Sequence, residues 1–109
     1  MTGLRTYTEI LNQSAAGNGA WFKLDSRYEK VSNRSIQGNV TTGDTITIQA
    51  TAKDVKGIDK TWLSSLAASE ITTLKAYTAD FNDIINGPWA YIRVVKTGTA
   101  GTSRVLGMI

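Results

Sequence analysis

The chain has neither cysteine nor histidine. The first absence removes disulfides and thiolate metal sites. The second removes the commonest general base together with the commonest metal ligand, which excludes triad-type nucleophilic catalysis and ordinary zinc sites. Proline occurs once, at Pro88, so few positions are barred from a β-ladder. An excess of one charge is also missing: 12 Lys and Arg stand against 9 Asp and Glu, for a net +3. The cations are scattered among the acids without a basic run or an arginine-rich arm, and this argues against a nucleic-acid partner. No apolar run approaches bilayer-spanning length, and the start lacks the charged, apolar and small-residue parts of a secretion signal. The expectation is a soluble protein made in the cytoplasm, with no membrane partner. In that setting the Asn-X-Ser/Thr triplets starting at Asn12, Asn33 and Asn39 read as chance matches.

What the chain does have is short, evenly spaced runs of β-branched and aromatic residues separated by Thr, Ser and Gly. Residues 45–52 alternate most cleanly. Ile46, Ile48, Ala50 and Ala52 share one face, and Thr45, Thr47, Gln49 and Thr51 share the other, as in a half-buried strand. A more polar strand over 31–40 precedes it, anchored by Val31, Ile36 and Val40, with Gly38 as a bulge. The tetrad Thr41-Thr42-Gly43-Asp44 between them predicts a hairpin with Gly43 left-handed. A strand over 89–95 puts Ala90, Ile92 and Val94 on one face and Trp89, Tyr91, Arg93 and Val95 on the other. A small-residue hairpin connection then leads to a last strand over 104–109.

Residues 20–24 form a short strand with Ala20, Phe22 and Leu24 opposite Trp21 and Lys23. The segment 4–11 reads as strand in preference to a capped helix. Residues 71–78 form a strand, and 79–83 a turn leading to Ile84 and Ile85. Over 61–68 helical spacing and strand alternation both fit, and the choice stays open. At 109 residues the chain has the size of one domain. The predicted fold is therefore all-β: a single small antiparallel β-sandwich or jelly-roll-like barrel of about seven or eight strands spanning the chain.

Candidate chemistry is sparse. Asp80 with Asp83, and Asp54 with Asp59, offer oxygen ligands of the kind calcium takes, but both pairs read as solvated turn residues. Lys96-Thr97-Gly98-Thr99-Ala100-Gly101-Thr102-Ser103 has the small residues of a phosphate loop but places its Lys first and is followed by a strand, so it reads as a mobile connection. Trp21 and Trp62 are candidates for a sugar-stacking platform, set against the core or subunit-interface burial usual for Trp in a small domain. Trp89, Tyr91 and Arg93 are candidates for a protein contact, since such residues dominate interface hot spots; an amphipathic outer face fits them equally. No catalytic residue, cofactor or metal ligand set emerges.

Two blocks carry a resemblance. One is Gly87-Pro88-Trp89-Ala90-Tyr91-Ile92-Arg93-Val94-Val95-Lys96-Thr97-Gly98-Thr99-Ala100-Gly101-Thr102 with the short strand after it. The other is Gly17-Asn18-Gly19-Ala20-Trp21-Phe22 with the later Ile36-Gln37-Gly38-Asn39-Val40. Together they resemble small β-sandwich structural proteins of the virions of tailed bacteriophages; residues 53–86 match nothing in that group. The resemblance implies a non-enzymatic virion protein, foremost a capsid decoration or cement protein docked on the major capsid protein, with a tail or head–tail junction protein as the neighbouring reading. It implies a homo-oligomer, with a trimer compatible, and virion proteins as partners. A carbohydrate-binding module is the alternative from another class.

Overall fold

The computed structural model describes residues 7–24, 33–55 and 59–109. Nine strands lie within these residues: β1 (Thr8–Gln13), β2 (Gly17–Asn18), β3 (Phe22–Lys23), β4 (Asn33–Asn39), β5 (Thr45–Thr51), β6 (Thr72–Tyr77), β7 (Phe81–Asn86), β8 (Tyr91–Thr97) and β9 (Ser103–Gly107). They form two antiparallel sheets, β1-β9-β4-β7 and β2-β8-β5-β6, with β3 also paired to β8. Between β2 and β3 the chain stays on β8, since Gly19 N–H donates to Val94 O at 2.7 Å. The two short strands are thus halves of one interrupted edge. Counted that way, the order is that of a jelly roll, two four-stranded sheets facing each other.

The core follows from alternation. Ile46, Ile48 and Ala50 of β5 and Ile92 and Val94 of β8 point inward and are fully buried. Ile36 of β4 and Val105 of β9 meet them from the other sheet, and Ile10, Leu11, Leu24, Val40 and Ile85 complete the cluster. Each of the buried Ile, Leu and Val side chains contributes about 1.5–3 kcal/mol by leaving water. The open side between edge strands β6 and β7 is closed by Tyr77 and Phe81, whose rings stack at 3.7 Å, and by Asp83, which accepts from Lys75 Nζ at 3.0 Å and Tyr77 OH at 2.8 Å.

Several sequence expectations change. The turn at 41–44 is real, with Asp44 N–H bonded to Thr41 O and Gly43 at φ +99°. It joins no hairpin, however, because β4 and β5 lie in different sheets. The same is true of β8 and β9. Gly38 is no bulge: its register with Phe81 and Val105 is unbroken. A side chain there would run into the Phe81 ring, 2.5 Å from an added Cβ. The bulges sit instead at Glu9/Leu11 and at Ile48/Gln49. Phe81, Asn82 and Asp83, read as a turn, begin β7; the turn is at 78–80. Residues 61–65 and 68–70 are single 3-10 turns. The strand expected over 4–11 is observed as β1 and shifted; residues 1–6 and Val31 lie outside the described residues.

Candidate functional site

Strand alternation turns Tyr91, Arg93 and Val95 of β8 away from the core, next to Thr47, Gln49 and Thr51 of β5. The register aligns Arg93 with Gln49 and Gln49 with Thr73. Arg93 Nε donates to Gln49 Oε1 at 2.8 Å, and its guanidinium lies 4.7 Å from the Trp21 ring. Gln49 Nε2 reaches Thr73 Oγ1 at 3.5 Å. Trp21, Arg93, Gln49 and Thr73 thus make one row across the outer face of the sheet. Burial lowers the Arg93 pKa, while the planar guanidinium keeps its charge.

A second row lies one step along. Trp62, held on the 3-10 turn at 61–65, meets Tyr91 edge to face with centroids 5.5 Å apart. Lys23 Nζ and Lys60 Nζ sit 5.1 and 5.7 Å from the Tyr91 ring. Asp54 accepts from Lys23 Nζ at 3.0 Å and raises the Lys23 pKa. Tyr91 is only 2% exposed under this cover, although it belongs outside the main core cluster.

The structure therefore brings Trp21, Trp62, Tyr91 and Arg93 to one face and leaves Trp89 off it. Trp89 lies before β8, packs against the core, and donates its indole N–H to Asn86 O at 2.8 Å. Of the three residues expected to share a contact surface, Arg93 is half-buried on this face, Tyr91 is covered by Trp62, and Trp89 packs against the core. The two tryptophans expected to stack sugars are each engaged by a protein group, Trp21 by Arg93 and Trp62 by Tyr91. Gln49 and Lys60 join the face unforeseen, though Gln49 had already been placed on the outer side of its strand.

The carboxylate pairs are apart in role. Asp80 accepts from Val40 N–H at 2.8 Å, Asp83 closes the β6–β7 side, Asp54 holds Lys23, and Asp59 caps Thr61 N–H at 2.9 Å. The phosphate-loop likeness is also replaced. Lys96 points into the core end, fully buried, 3.1 Å from Asp44 Oδ2, and donates to Ser14 O at 2.9 Å and Gly98 O at 2.6 Å. Asp44 accepts from Ala100 N–H and Gly101 N–H; the Ala100 N–H first, then Lys96, then the Gly101 N–H lower its pKa against the opposing effect of burial. The pair ties the connections at 14–16, 41–44 and 98–102 into one rigid end. No group of three or more acidic side chains that could hold a metal occurs among the described residues. No family model, curated protein or solved structure matches the chain.

Proposed function

We propose that this protein is a non-enzymatic structural component of a tailed-phage particle, docking on the major capsid protein as a decoration or cement subunit. The observation that carries the reading is the half-buried Trp21–Arg93–Gln49 row on the outer face of the β2-β8-β5-β6 sheet. It offers a flat aromatic and cationic surface of the composition that anchors protein contacts. The resemblance of the two sequence blocks supports the virion assignment. The jelly-roll order adds a fold-level analogy, since viral capsid domains use that architecture. A partner that binds only the assembled shell stabilises the shell by mass action. Many copies each burying about 800 Å² would brace it against internal pressure.

The experiment is quantitative mass spectrometry of purified particles together with depletion of the protein. A ratio near one copy per major capsid protein, and depleted capsids that break at lower temperature, are the expected results. A handful of copies moves the protein to the tail or the head–tail junction. Particles lacking it altogether end the virion reading. Within a positive result, Trp21→Ala combined with Arg93→Ala should release the protein from particles with its own melting unchanged.

A further inference from the structure

Lys23, Lys53, Lys75, Lys96 and Arg104 each form an ion pair with a carboxylate. Arg93 and Lys60 form none among the described residues, and both lie on the outer face of the β2-β8-β5-β6 sheet. Arg93 is the more constrained. It stands half-buried on β8, with β2 and β3 on one side and β5 on the other. Its Nε–H donates to Gln49 Oε1 at 2.8 Å, and its guanidinium lies 4.7 Å from the Trp21 ring centroid. The two terminal nitrogens have no hydrogen bond among the described residues. Lys60 Nζ is one step along the same face, 5.7 Å from the Tyr91 ring, on an exposed side chain. In the other direction Val95 lies beside Thr47, and Thr47 beside Ala76. That flank carries no charge.

A partner docked on this face takes Arg93 out of water. A guanidinium does not give up its proton, and a buried charge without an anion costs far more than a paired one. A backbone carbonyl of the partner offers a hydrogen bond but no countercharge. A carboxylate offers both, and its two oxygens match the paired N–H groups at the end of the guanidinium. Gln49 and Trp21 already hold that group in place, so little side-chain freedom is lost on pairing. A nucleic acid or another polyanion calls for a concentration of unmatched cations. The described part of this face has Arg93 and Lys60 alone.

We propose that Arg93 is a preformed receptor for a single Asp or Glu side chain of the docked protein, taken end-on by Nη1 and Nη2, with Lys60 adding attraction at the rim. The occupant rests on the capsid-docking reading: it is an acidic residue of the major capsid protein, bordered by uncharged residues that cover Val95, Thr47 and Ala76.

The test is rebinding of the full chain to particles depleted of it, followed by co-sedimentation over a range of salt concentrations. The particles are used untreated and after their surface carboxylates have been converted to amides with a carbodiimide and glycinamide. Expected are saturable rebinding to untreated particles that weakens as salt rises, and a loss of affinity of about tenfold or more on the amidated ones. Arg93→Gln should lose as much on untreated particles. Arg93→Lys should lose nearly as much, because an ammonium keeps the charge without the paired N–H geometry. Lys60→Gln should lose less, and chiefly at low salt. All three variants should melt like the wild type. A wild-type chain that does not rebind untreated particles ends the capsid-docking reading and this contact with it. Wild-type rebinding that is equally tight on amidated particles leaves docking standing and overturns the carboxylate receptor. Rebinding by Arg93→Gln or Arg93→Lys as tight as that of the wild type does the same.

Discussion

At the scale of single residues, the decisive group is Lys96. A charge without a partner in the interior costs far more than a paired one. Lys96→Met leaves the Asp44 carboxylate buried alone, and the loss expected from removing one partner of a buried pair is about 3–5 kcal/mol, read as a lower urea midpoint. Replacing both partners by apolar residues should recover much of that loss. Two carboxylates also set an acid limit. Asp44 is held low by the Ala100 N–H and Lys96, and Asp83 is held at about 2 by Lys75, the Tyr77 hydroxyl and the Ile84 N–H. Both values lie below the unfolded one, so the stabilisation is complete above about pH 4 and is lost as pH falls through the folded values. For Asp83 that window runs from about pH 4 to 2: melting temperature should fall across it, and Asp83→Asn should flatten the drop. Asp83 is partly exposed, so its share is screened. Sequence alone gave no sign of the ion pair, because its members are 52 positions apart, 96 against 44, and each sits in a stretch that reads as a loop.

Among the elements, β8 is central, with β2 and β3 on one side and β5 on the other. Ile92 is fully buried in it. Ile92→Ala should cost about 2–5 kcal/mol, measured by denaturant unfolding; an unchanged midpoint would place the strand at the surface. The connection after β8 is just as constrained. Gly98 has φ +98°, and an added Cβ would stand 2.5 Å from Asp44 Oδ1 and 3.1 Å from Gly43 O. Gly98→Ala should lower stability by about 1–3 kcal/mol from backbone strain alone, with the clash in addition. Gly17→Ala makes the comparison, since it shares a positive φ but has nothing within 4 Å; the difference between the two melting temperatures reports the clash with Asp44 and Gly43. The small residues of 98–102 had suggested mobility. Two backbone N–H groups donating to a buried carboxylate make this connection rigid instead.

For the whole molecule, topology sets the kinetics. Among the described residues, only β5 and β6 are both consecutive in the chain and paired; the other ladders join strands distant in sequence. Loop closure must then precede most of the stabilising contacts, so refolding should fall in the millisecond-to-second range typical of non-local β proteins. Stopped-flow tryptophan fluorescence tests this, and complete refolding within microseconds would refute it. The same topology separates what was legible in the sequence from what was not. The period of two fixed which side chains of β3, β5 and β8 point inward, because alternation is a property of the extended backbone itself. Val-, Ile- and Thr-rich runs fixed most of the strands, and Gly43 fixed a turn. Strand partners were a different matter. A tight turn between two alternating runs reads as a hairpin, yet here 14–16, 41–44, 78–80 and 98–102 all cross from one sheet to the other. A crossing connection and a hairpin use the same turn residues. Pairing is decided by which faces can bury one another, and only the assembled sandwich decides that. Those crossings bring Lys96 onto Asp44, set Trp21 over Arg93, and align Asn82 with Gln37.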